Sequence, residues 1–175
     1  MAFTPISNLG KDARYLANSN GAALSTGVMT SASVYLSAGL TIKNISFVSA
    51  TTAAGTPTHW AFAIYSSAAT PALLGATADQ VAGAWAANTL MTKALAVPAV
   101  IPKAGWYWVS CWMAATTVPT LVSLPAYAAG LLPSSGIQAT DKPLAVTSGS
   151  ALVATPATIV AGGTNSLVIP LCYVS

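Results

Sequence analysis

The chain of 175 residues is long enough for one domain with a sizeable core, yet only 5% of it is charged: six Lys or Arg, three Asp and no Glu. An ordinary globular protein carries about 25% charged residues, so this surface must rely on Ser, Thr and Asn or meet other protein surfaces. The net charge of +3 is scattered, and neither Lys11 with Arg14 nor Lys103 with Lys142 makes the dense basic stripe of a nucleic-acid binder.

In chain order, residues 1–21 are expected to form a short extended arm ahead of a β-sandwich domain over 22–175. The arm carries Lys11, Asp12 and Arg14 and ends in the turn-prone Asn18-Ser19-Asn20-Gly21. It either lies on a neighbouring molecule or forms an edge strand. Short strands are then expected at 34–36 and 40–48. Within the second, Leu40-Thr41-Ile42 alternates and the phase shifts at Asn44-Ile45, which predicts a bulge. A strand over 60–65 places Trp60, Phe62 and Ile64 on one face. Residues 78–87 have some helical character, but Gly83 limits them to a single turn. A strand over 89–95 follows, and Pro98 and Pro102 keep Val100-Ile101 out of any inner strand with a complete ladder.

The clearest strand is 106–113. Its first face carries Trp106, Trp108 and Trp112, its second Tyr107, Val109, Cys111 and Met113. With both faces apolar it must be a central strand packed on two sides, or on a core and a partner chain. Further strands are expected at 120–124, 144–146, 151–153, 158–160 and 167–174. Many short strands between Gly, Pro, Asn and Ser clusters imply an all-β fold, a jelly-roll-like β-sandwich. The segment Ala50–Thr58 echoes Met113–Thr120, each following an apolar strand and ending in Pro-Thr, which places two such turns at one end of the sandwich.

Chemistry-bearing residues are few. His59 is the only histidine, no Gly-x-Ser-x-Gly elbow exists, and a catalytic triad would have to recruit His59 with Asp79 or Asp141. A histidine packed at a strand end and hydrogen-bonded to backbone is the preferred reading. Two carboxylates for a glycosidase and three ligands for a metal are equally hard to assemble, so no catalytic residue, metal or cofactor is expected. Cys111 and Cys172 lie in apolar strands and are preferred as two buried thiols, with a disulfide as the alternative. The charge-free stretches 44–78 and 104–140 are broken by Pro, Gly, Ser and Thr, and no secretory signal opens the chain, so no membrane partner is expected. Among the aromatics, Trp106, Trp108 and Trp112 are candidates for a subunit interface. Trp60 and Trp85, each beside a turn, are candidates for an exposed platform on which a sugar stacks.

Several blocks carry a family resemblance: Ala23-Leu24-Ser25-Thr26-Gly27-Val28-Met29-Thr30, Phe47-Val48-Ser49, Thr51 to Trp60, Ala84-Trp85-Ala86-Ala87-Asn88-Thr89, Gly105-Trp106-Tyr107-Trp108, Ala114 to Leu121 and Tyr173-Val174-Ser175. Over roughly residues 22–175 the chain resembles β-sandwich domains of tailed phages that infect actinobacteria, in head-fibre, capsid decoration and minor tail proteins. The resemblance implies a non-enzymatic virion protein and brings no catalytic residues with it. Behind only a short arm, without a coiled-coil or collagen-like shaft, the chain is expected to decorate a capsid. It would bind the major capsid lattice on the virion surface as a homo-oligomer, a trimer by preference, after assembly in the host cytoplasm. The alternative is a minor tail protein that binds a receptor or a host-surface glycan.

Overall fold

The computed structural model describes residues 6–7, 21, 23–66, 68–125, 145–159, 164–166 and 168–175. These residues form strands and turns without a helix, and so none long and apolar enough to cross a membrane. The strands are β1 (Ile6–Ser7), β2 (Met29–Leu36), β3 (Thr41–Val48), β4 (Gly55–Tyr65), β5 (Leu73–Ala76) and β6 (Leu90–Val100). They continue with β7 (Gly105–Thr117), β8 (Ser123–Pro125), β9 (Ala145–Ser148), β10 (Thr164–Asn165), β11 (Val168–Pro170) and β12 (Cys172–Val174).

One sheet has the order β1-β12-β3-β6, the other β10-β9-β2-β7-β4-β5, and β11-β8 form a separate pair. Strands β9 and β10 extend the edge of β2. Without them, two four-stranded layers remain, β1-β12-β3-β6 and β2-β7-β4-β5. The chain passes between these layers in the interleaved order of a jelly roll. The expected all-β sandwich is therefore the observed one.

Alternation along β7 explains how the layers pack. Its Tyr107, Val109, Cys111 and Met113 point into the main core with Val34, Ile45, Phe47 and Phe62. The Phe47 and Phe62 rings meet across the two sheets at 5.0 Å. The opposite face of β7 sends Trp108 and Trp112 into a second cluster with Met29, Ala61, Ala63, Tyr65 and Ile159. A strap over 149–159 covers that cluster. It is tied down by Leu152 N–H to the Gly27 carbonyl (2.9 Å) and Leu73 N–H to the Ala157 carbonyl (2.9 Å). The Trp112 Nε1 donates to Thr155 Oγ1 (3.0 Å) and the Tyr65 hydroxyl to the Pro156 carbonyl (2.8 Å).

On the same face as Met29, the hydroxyls of Ser31 and Ser110 meet at 2.7 Å in a fully buried cross-strand pair. Ser31→Ala is expected to destabilise the fold by about 1–3 kcal/mol, because the Ser110 hydroxyl is then buried without a partner. The double variant S31A/S110A should lose much less than the sum of the singles. A double-mutant cycle in urea tests this, and additive losses would show that the pair is not coupled.

Several local expectations hold. The β3–β6 register shifts between Ile42 and Asn44, opposite the stretch that carries Pro98, and β6 is an edge strand. The two echoing segments lie at one end and pair with each other, Gly55 with Thr117 and Pro57 with Ala115. Cys111 and Cys172 are buried and not joined in a disulfide. Other expectations fail. Residues 151–153 belong to the strap and not to a strand, since Ala151 takes a φ of 50°. Thr158 makes only an isolated bridge to Ala72. The strand expected over 167–174 is two, because the chain leaves β11 for another sheet at Leu171. Of the expected arm, Ile6–Ser7 pairs with β12 as an edge strand; Lys11, Asp12 and Arg14, like Asp141 and Lys142, lie outside the described residues.

Candidate interaction surface

Trp60 and Trp85 are not an exposed platform. Both are fully buried, stacked on each other with ring centroids 5.4 Å apart, and in contact with Phe62. The reason lies in the turn after β5, which folds back over the indoles. Gln80 N–H donates to the Trp60 carbonyl (2.9 Å), Ala54 N–H to the Trp85 carbonyl (2.9 Å), and Trp60 Nε1 to the Gly83 carbonyl (2.7 Å). A Cβ on Gly83 would stand 3.2 Å from Trp60 Nε1, so glycine permits the close approach. The ammonium of Lys93 lies 5.2 Å from the Trp60 ring centroid, in cation–π range.

Two of the three expected interface tryptophans are also taken up internally. Trp108 and Trp112 lie under the strap, so this chain covers them itself. Trp106 differs. It is 47% exposed, and its cross-strand partner Tyr35 is 53% exposed. Their rings meet edge to face, with centroids 5.6 Å apart and planes at 80°. Neither β2 nor β7 carries a charged residue. Tyr35 went unnoticed in the sequence because its pairing with Trp106 depends on the β2–β7 register; its alternation with Met29, Ser31 and Ser33 was the available signal.

Strand β6 exposes Leu90, Val97 and Val100. As an edge it is blunted by Pro98 and by Lys93, whose side chain turns inward to Trp60.

His59 does not bond to backbone as expected. Its Nδ1 lies 2.6 Å from Asp79 Oδ2, with both side chains about a third exposed. The other carboxylate oxygen of Asp79 accepts from Trp60 N–H (3.2 Å). The pair has the form of the His and Asp of a triad, but among the described residues no Ser, Thr or Cys is hydrogen-bonded to His59. It closes the turn over Trp60. Burial, and secondarily the neighbouring Cys172, push the Cys111 thiol far above its ordinary pKa, which disfavours a nucleophilic thiolate. Among the described residues no three His, Cys, Asp or Glu come together as a metal site.

These features define an all-β jelly-roll sandwich whose exposed aromatic pair sits on charge-free strands. No protein-family model matches the chain, and no curated protein does.

Proposed function

We propose that this chain is a non-enzymatic structural protein of a bacteriophage virion, a decoration protein bound to the outer capsid as an oligomer. The observation that carries the reading is the Tyr35–Trp106 pair. Two large aromatic rings stay half exposed on charge-free strands, while the other four tryptophans are buried. Aromatic side chains in a charge-depleted patch are the usual centre of a protein interface. The scarcity of charge over the whole chain supports repeated contact with protein rather than free solution. Jelly rolls recur in viral capsid and lectin domains, an analogy of fold that supports the reading. The resemblance to phage head-fibre and decoration domains points the same way.

A closed trimer around a symmetry axis would bury one copy of the pair per subunit. Trp106→Ala and Tyr35→Ala are therefore expected to change folding stability by less than about 1 kcal/mol. In light scattering, however, the subunit assembly should fall to monomer. Purified expanded shells should bind the wild-type protein at regular lattice positions and the variants weakly. A monomeric wild-type protein, or binding to tails alone, would sink the decoration reading. The tail-tip alternative predicts adsorption to host cells, with the same aromatic pair available to stack on a surface glycan.

A further inference from the structure

The two cysteines belong to different sheets and to one core. Cys111 lies on β7 beside Phe62 of β4, its cross-strand partner. Cys172 lies on β12 beside Phe47 of β3. The Phe47 and Phe62 rings meet across the sandwich at 5.0 Å, so the registers of the two sheets place both cysteines beside a single inter-sheet contact. Both are completely buried, and they are not joined in a disulfide. Their nearness is also electrostatic: after burial itself, Cys172 is the second cause that pushes the Cys111 thiol upward.

Facing sheets of a sandwich lie about 10 Å apart, a gap filled by side chains from both inner faces. Antibody domains bridge such a gap with a disulfide between facing strands. Here the same bond would tie β7, an inner strand of the large sheet, to β12, an inner strand of the small one. Strands that share no backbone hydrogen bond would then be held by a covalent one.

We propose that Cys111 and Cys172 are an oxidation site, a pair of thiols that closes into an inter-sheet disulfide when the protein meets a low-molecular-weight disulfide such as glutathione disulfide. During a transient opening, one thiolate attacks the oxidant, whose S–S bond breaks and releases one glutathione thiol. The second cysteine then attacks the mixed disulfide and releases the other. Two electrons pass from the protein to glutathione, and the two thiol protons end on the released glutathione. Opening is needed because the closed core holds no room for the reagent and disfavours the thiolate. The bond closes a loop of about 60 residues, long enough to remove much of the freedom of the unfolded chain. It would be absent in a reducing cytoplasm and form outside one. None of these steps rests on the decoration reading, so the failure of either leaves the other standing.

The test incubates the reduced full chain with glutathione disulfide in urea just below the unfolding transition. The product is alkylated in denaturant and weighed intact. The expected species is a single chain two hydrogens lighter than the dithiol, carrying no alkyl group. Its thermal midpoint should rise by about 10 °C, and dithiothreitol should reverse the rise. Cys111→Ala and Cys172→Ala should each abolish the rise relative to their own reduced midpoints. Two alkylated thiols after the incubation would overturn the proposal, as would glutathione adducts that persist on either cysteine. A disulfide that forms but lowers the midpoint would overturn it too, because the native sandwich would then hold the sulfurs out of bonding reach.

Discussion

Trp60→Ala is expected to lower the unfolding free energy by about 3–5 kcal/mol, the usual range for removing a fully buried large aromatic side chain. Trp60 touches Phe62 and Trp85, is capped by Lys93, and anchors the 78–88 turn through its Nε1. The void would open where the two sheets and that turn converge, so the walls cannot relax inward together. A finer comparison separates packing from hydrogen bonding. Trp60→Phe leaves the Gly83 carbonyl without its indole donor, whereas Trp85 Nε1 is buried with no hydrogen-bond partner among the described residues. Trp85→Phe should therefore be the milder change by about 1 kcal/mol or more. Denaturant unfolding of the set checks this, and a milder Trp60→Phe would show that the Gly83 bond contributes nothing net.

The second large effect is kinetic. With Cys111 and Cys172 both inaccessible in the main core, an aromatic disulfide reagent should leave the folded protein unmodified. In denaturant it should titrate both thiols at once. The reagent reaches them only through opening of the sandwich. For a domain of ordinary stability that slows the reaction by about a thousandfold or more. In the closed state burial also raises the pKa of Cys111, so the thiolate, the reacting species, is scarce there without opening. Rapid modification of one thiol in the native state would contradict its burial. Fewer than two thiols in denaturant would reveal a disulfide.

Much of the fold was legible because strand signals are local. The two apolar faces of 106–113 gave a central strand, and each face did find its own core. The phase shift at Asn44-Ile45 became the register shift of β3 against β6. Strand β5 escaped notice, since Leu73-Leu74-Gly75-Ala76 shows no two-residue alternation and its pairing comes from β4. Leu152 and Val153 have the composition of a strand but belong to the strap. The positive φ at Ala151, set by contacts with the Gly27 loop, is invisible in the sequence.

The aromatic sites divide in the same way. By itself the sequence determined an all-β, charge-poor chain, with few catalytic groups and a strand apolar on both sides. Those follow from composition and from the alternation of side chains along a strand. Only the tertiary structure decided what covers each tryptophan. A turn closes over Trp60 and Trp85, a strap closes over Trp108 and Trp112, and Trp106 is left outside with Tyr35. Apolarity states that a side chain gains by leaving water, but not which surface removes it. That surface is supplied by residues far away in the chain, through register and topology that no local pattern encodes.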